Sequence, residues 1–247
     1  MTAGTTGFDL ERTLSGEETG LLLTLREKVD PSHCALLVID VQNDFAATGG
    51  FFDKVGGDLG AIQKERVPAL LKLIAEARRV GVRVIFVQAI YDPENLSAPM
   101  RERNTRLKMQ QPRCLSGSWG AEFYRVKPEP GEHVVIKHRY SAMVNTGLPN
   151  LLRQYGIRSL LLTGIATDTC VESAGRDAYF TDYYVTLVED CCGAASEEDH
   201  QMALKRFNRD YGQVVTSGDV IAAWKSDSVQ YSLSAPVEAR REDPLRG

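Results

Sequence analysis

The chain is predicted to fold as one doubly wound α/β domain: a mostly parallel six-stranded sheet with helices on both faces. Two observations lead there. Short apolar runs alternate along the chain with segments of helical spacing, which is the pattern of βαβ crossovers. One of those runs, ALLVID (35–40), is apolar without a break until it ends on a carboxylate. A strand that shows no polar alternation is one covered on both sides, as in a parallel sheet between two helical layers.

The elements follow in order. Residues 1–30 are polar and irregular except for Leu21–Leu25, and are read as an N-terminal extension; the domain is expected over 31–225, with a polar tail over 226–247. After the first strand at 35–40, the glycines at 49, 50, 56, 57 and 60 read as turns. The segment PALLKLIAEARRV (68–80) has helical spacing and stops at Gly81, the residue that tolerates the left-handed helix terminus. Strands follow at 82–88 and 134–136, a helix at 148–155 closed by Gly156, a strand at 159–163 and a helix at 170–180. A strand at 184–189, a helix at 197–211 and a short strand at 213–216 complete the series. The stretch 91–132 is a connection of roughly 40 residues, far above the ordinary length, and such insertions serve a site or a partner.

Composition removes several classes of function. With 29 basic and 33 acidic residues in 247, the net charge is −4, and there is no basic footprint for nucleic acid or an anionic membrane. No apolar run reaches the ~18 residues of a membrane span, and the first 20 residues lack a signal-peptide layout, so a cytoplasmic protein is expected. Five cysteines, an odd number with no CxxC spacing, fit neither a disulfide framework nor a zinc ribbon. The four histidines, at 33, 133, 138 and 200, are too scattered for a hydrolytic zinc site, so no metal and no cofactor are expected. Neither GxGxxG after the first strand, nor GxxxxGK[ST], nor GxSxG occurs.

In open α/β sheets ligands bind beyond the carboxyl ends of the strands. Asp40 ends the first strand, Lys137 follows the run at 134–136, and Cys170 opens a helix after the strand at 159–163. All three therefore face the same edge. A thiol at a helix N-terminus beside a lysine has its thiolate stabilised, and a carboxylate can take its proton. Each residue also has a plain reading: Asp40 as a loop cap, Lys137 as a surface residue, Cys170 as a buried thiol.

The stretches ALLVIDVQNDF (35–45), VIKHRYSAMVNT (135–146) and, above all, GIATDTCVESAGRDA (164–178) resemble the isochorismatase-like cysteine hydrolase superfamily. The likeness runs collinearly over residues 33–225. It implies an isochorismatase-like, Rossmann-like three-layer fold with Asp40, Lys137 and Cys170 as catalytic residues. It also implies a cis Ile165–Ala166 peptide and an oxyanion hole from the N–H groups of Ala166 and Cys170. The nicotinamidase branch carries Asp-x-His and a further histidine after the first strand; GGFFDKVGGDLGAIQ (49–63) has none. Isochorismatases proper mostly lack the cysteine.

Within the superfamily, KHRYSAMVNTGL, ATGGFFD, GIATDTCVES and SGSWG (116–120) look most like ureidoacrylate amidohydrolases and other hydrolases of ureido or carbamoyl amides. The resemblance implies a metal-independent cysteine amidohydrolase working through a thioester on a small-molecule amide, in a homo-oligomer, dimer or tetramer. Plain carboxamides, N-carbamoyl amino acids and a catalytically silent scaffold are the alternatives. Candidate substrate contacts are Gln42, Asn43, Trp119, Tyr140 and Asn145; Arg139, Arg176 and the run MRERNTRLK (100–108) are weighed as carboxylate binders. Glu172 is expected to support the turn at Cys170 by hydrogen bonding.

Overall fold

Residues 20–109 and 112–225 are described by the computed structural model; the remainder of the extension and the tail proposed at 226–247 lie outside them. Six strands form a single, wholly parallel sheet: β1 (Cys34–Ile39), β2 (Arg83–Ala89), β3 (His133–Lys137), β4 (Ser159–Ile165), β5 (Tyr184–Gly193) and β6 (Gln213–Val215). Their order across the sheet is β3-β2-β1-β4-β5-β6, so the winding reverses between β1 and β4.

The central strand shows why the chain folds in three layers. All six residues of β1 are buried. Leu36 and Val38 point into one core with Leu70 and Leu73 of α1 (Val67–Val80). Ala35, Leu37 and Ile39 point into the other, shared with residues of α3, α4 and α5 given below. Period-two alternation thus feeds two cores at once. Besides α1, the major helices are α2 (Ala98–Arg106), α3 (Leu148–Gln154), α4 (Glu172–Tyr179), α5 (Glu197–Asp210) and α6 (Ser217–Lys225). Leu148 and Leu152 of α3, Ala174 and Ala178 of α4, and Leu204 and Phe207 of α5 fill the second core, while Ile221 and Trp224 of α6 join the first.

Helix α6 and the short helices Asn43–Ala46, Phe51–Lys54 and Leu59–Ala61 have no counterpart in the sequence reading. Gly60, read as a turn, lies in the last of these. Three further differences stand out. Helix α4 begins at Glu172, two residues later than expected, because Thr167–Val171 form a wide π-helical turn with Cys170 inside it. The insertion at 91–132 is not a bare loop: it holds α2 and two 3₁₀ turns, at Pro93–Asn95 and Trp119–Ala121. Residues 20–30, read as extension, pack on the domain, with Trp224 Nε1 donating to Val29 O at 2.8 Å and Leu22 N to Tyr184 Oη at 3.2 Å. Among the described residues no helix is long and apolar enough to cross a membrane.

Candidate active site

The reversal point between β1 and β4 opens a crevice at the carboxyl edge of the sheet. Gly164, at φ +119°, lets the two strands close there: a Cβ on it would stand 1.9 Å from Ile39 O. The residue after Ile39 is Asp40, itself left-handed at φ 52°, a conformation that Asp accepts more readily than most side chains. Its N–H is held by Val87 O at 3.0 Å. Lys137, the last residue of β3, reaches inward from the sheet edge.

These three side chains meet out of water. Asp40 and Lys137 are wholly buried and Cys170 nearly so. Lys137 Nζ stands 2.7 Å from Asp40 Oδ2, 3.4 Å from Cys170 Sγ, 3.4 Å from Tyr91 Oη and 2.9 Å from Arg139 O. The contact with Asp40 is a close ion pair rather than an aligned hydrogen bond, and neither carboxylate oxygen has an aligned donor among the described residues. A buried carboxylate with unfilled acceptor sites is a costly arrangement that calls for a reason. The Ile165–Ala166 peptide is cis.

Burial pushes the Cys170 thiol up to about 12, with Lys137 pulling in the opposite direction as the sequence led one to expect. Burial likewise raises the Asp40 carboxyl, against the pull of Lys137. Burial works against the Lys137 ammonium, yet the charges of Asp40 and Cys170 prevail and its pKa is raised. Cys192 is also pushed up to about 12 by burial, and Cys34, Cys114 and Cys191 higher still. What distinguishes Cys170 is its contact with Lys137, not its acidity.

Cys170 opens onto a cavity of about 130 Å³. Ala166, Thr169 and Cys170 form its floor, with Phe45, Phe51, Phe52, Tyr91, Tyr140, Met109, Arg103 and Arg113 around it. Of the substrate contacts expected from sequence, Tyr140 lies in this lining. The others do not. Gln42 donates to Ala89 O and Ala121 O at 3.0 and 2.8 Å and accepts from Ala89 N at 2.8 Å, so its amide is consumed in clasping β2 to the long insertion. Asn43 donates to Trp119 O at 2.8 Å for the same purpose. The Trp119 side chain is half exposed and outside the cavity, and Asn145 occupies an exposed left-handed turn position.

The other basic candidates divide. Arg139 donates to Asn95 O and His138 O, and Arg176 pairs with Glu172 at 2.6 Å. From the run 100–108, Arg103 does reach the cavity. Arg113, Tyr91 and the phenylalanines were missed, since no spacing in the sequence marks them. Glu172 does hydrogen-bond, but its partners are Arg176 and Arg206, which tie α4 to α5. Among the described residues, no three His, Cys, Asp or Glu side chains form a metal-ligand group.

Residues 34–219 match the model of the isochorismatase domain. The chain belongs to that family. A ureidoacrylate amidohydrolase from Pantoea ananatis is 40% identical over 187 residues, 70% of this chain and 74% of that protein. One from an Enterobacter species is 35% identical over 203 residues, 76% of this chain and 88% of the other. Among solved structures, an N-carbamoylsarcosine amidase from Thermoplasma acidophilum is 27% identical with a TM-score of 0.59, covering 75% of this chain and 96% of that one. Family and relatives together make this family member an amidohydrolase, a hydrolase of non-peptide carbon–nitrogen bonds.

Proposed function

We propose that the protein hydrolyses a small ureido or carbamoyl amide, without a metal, through a thioester on Cys170. The observation that carries this is the meeting of Cys170 Sγ, Lys137 Nζ and a donor-poor Asp40 directly beneath the cavity onto which Cys170 opens. The substrate class follows the relatives, whose names specify ureidoacrylate and N-carbamoylsarcosine.

Asp40 removes the thiol proton as Sγ attacks the carbonyl carbon, and Lys137 balances the charge that passes between them. The N–H groups of Ala166 and Cys170 receive the oxyanion. The protonated Asp40 then returns its proton to the departing nitrogen as the carbon–nitrogen bond breaks, leaving the thioester. Water attacks the thioester, Asp40 takes the water's proton and hands it to the departing sulfur as the carbon–sulfur bond breaks, and thiol and carboxylate are both restored. Ammonia or a carbamate-bearing product leaves. A resting thiol suits this sequence, because the proton moves only when a substrate is present to accept the sulfur's electrons.

The reading extends to a cytoplasmic homo-oligomer, dimer or tetramer. Val134 and Ile136 lie half exposed on the edge strand β3, and covering them would favour association.

The test is release of ammonia or amine across ureidoacrylate, biuret, triuret, N-carbamoyl amino acids and simple carboxamides, with acid-quenched enzyme examined by mass spectrometry. One ureido or carbamoyl substrate should turn over and leave an acyl mass on the peptide holding Cys170. Cys170→Ser should lose activity by about 10³-fold or more while keeping its fold. Undiminished turnover by that variant overturns the assignment.

A further inference from the structure

Of the four histidines, His200 alone is buried, with 2% of its surface exposed. Its Nδ1 lies 2.8 Å from Thr167 Oγ1, which is buried too. The hydroxyl has no other acceptor among the described residues, so its proton goes to Nδ1 and the ring carries its own proton on Nε2. Burial, with Arg66 nearby, lowers the His200 pKa against the pull of Glu197 and Asp168, and the ring is neutral and able to accept at neutral pH. His200 borders a separate void of about 20 Å³ with Asp58, Arg66 and Glu197, and not the cavity onto which Cys170 opens.

Thr167 begins the turn that carries the thiol. Pairing of β4 with β5 ends at Ile165, opposite Gly193, so the chain leaves the sheet at Ala166. Ala166 O then accepts from Thr169 N at 3.2 Å and from Val171 N at 3.0 Å, which closes the turn on itself, and no side chain caps its start. Asp168 and Thr169 bond each other at 3.0 Å. Among the described residues, the turn's side chains that bond outside it are Cys170, which meets Lys137 at 3.4 Å, and Thr167, which meets His200. The first contact changes as soon as the sulfur bonds to carbon. The second is independent of the sulfur. It ties the turn to α5, whose own start is fixed by Asp199 N donating to Ser196 Oγ at 3.1 Å.

We infer that His200 is a positioning residue for the thioester chemistry proposed above, on which this inference rests: through the Thr167 hydroxyl it holds in place the turn whose Ala166 and Cys170 N–H groups receive the oxyanion. Thr167 is bonded directly to Ala166, so a fixed threonine side chain limits the play of the first donor. Such donors act only when they lie about 3 Å from the oxygen as its charge develops, and a shift of about 1 Å therefore costs rate rather than substrate affinity. Without the histidine acceptor the buried hydroxyl has to find another partner, and the turn is the part that can move to supply one.

The experiment compares two reactions of Cys170 in wild type, His200→Leu, His200→Asn and Thr167→Val. Acetylation by p-nitrophenyl acetate passes through an oxyanion, whereas alkylation by iodoacetamide does not. His200→Leu and Thr167→Val, which remove opposite ends of one hydrogen bond, should each slow acetylation by about 10- to 10²-fold, read as nitrophenolate release and as an acetyl mass on the peptide holding Cys170. Alkylation should stay within about two-fold of wild type, because the thiol keeps its surroundings. On an amide that the enzyme turns over, the same variants should lose kcat and keep KM. His200→Asn should recover most of the loss, since its side-chain oxygen falls where Nδ1 stood. Acetylation and alkylation slowed alike, acetylation unchanged in His200→Leu and Thr167→Val, or no recovery with asparagine overturns the role of His200 and leaves the hydrolase reading standing. A wild type whose Cys170 takes no acetyl group counts against the thioester reading, and the inference falls with it.

Discussion

The two ends of the sheet contrast in a way that cavity size hides. At the amino end, where β5 and β6 begin, lies a basin of about 850 Å³ lined by Tyr179, Phe180, Tyr183 and Tyr211 among others. Its rings pack edge to face, Tyr179 on Tyr211 at 5.8 Å and Phe180 on Tyr211 at 6.0 Å, and among the described residues its lining holds no cysteine, serine or histidine. At the carboxyl end the cavity is about 130 Å³, yet it contains the thiol, and a buried ion pair lies beneath it. The larger basin is surface relief made by aromatic side chains that satisfy one another. The smaller cavity is where polar groups have been desolvated and left incompletely paired, and that costs free energy only chemistry would justify.

The sharpest way to break this contrast is Lys137→Met, which keeps most of the side chain's unbranched length and removes its charge. Turnover should fall by about 10³-fold. Stability should drop by about 3–5 kcal/mol, since Asp40 is left buried without a partner. Adding Asp40→Asn should recover much of the stability, measured by urea unfolding, and none of the activity. A double variant as unstable as the single one would mean that the pair is structural.

A smaller effect is read from pH. If Asp40 is the base proposed above it must be ionised to act, and burial raises its pKa, so kcat/KM should fall on acidification at a pH above the ordinary carboxylate value of about 4. The Lys137 pKa is raised and the Cys170 thiol stands at about 12, so these groups impose no alkaline loss below about pH 10. An alkaline limb near neutrality would show that another group takes the proton. The smallest effect belongs to the amino end. Tyr179→Ser and Phe180→Ser should each leave kcat/KM within about two-fold and shift stability by about 1 kcal/mol or less. A large loss of activity there would erase the distinction between the two ends.

The strand–helix alternation exposed most of the fold in advance, because β1 and β4 are buried on both faces and can hardly be written otherwise than in unbroken apolar residues. The strand-end rule and the GIATDTCVES motif likewise brought Asp40, Lys137 and Cys170 to one edge, and the structure joins them. Other features depend on distance in the fold. Gln42 and Asn43 look like free amides in the sequence, but their partners lie 47 to 79 residues away on backbone carbonyls. Arg113 has no periodicity to mark it, and only the fold brings it to the cavity wall. The desolvation that raises the Cys170 pKa is likewise invisible locally, because it belongs to the whole enclosure and not to the residues beside Cys170 in sequence.

The clasp formed by Gln42 and Asp44 has a wider consequence. Both residues sit just beyond β1, and both hold the 91–132 insertion to the sheet through backbone atoms, so they are indifferent to most side chains the insertion carries. The proposed reacting groups come from strand ends and their turns, while Arg103 and Arg113 of the cavity wall come from the insertion. The molecule therefore carries its thiol on the sheet side of the cavity and part of the facing wall on the insertion. Rewriting the insertion while retaining its contacts with residues 42 and 44 should change what is gripped without moving what cuts.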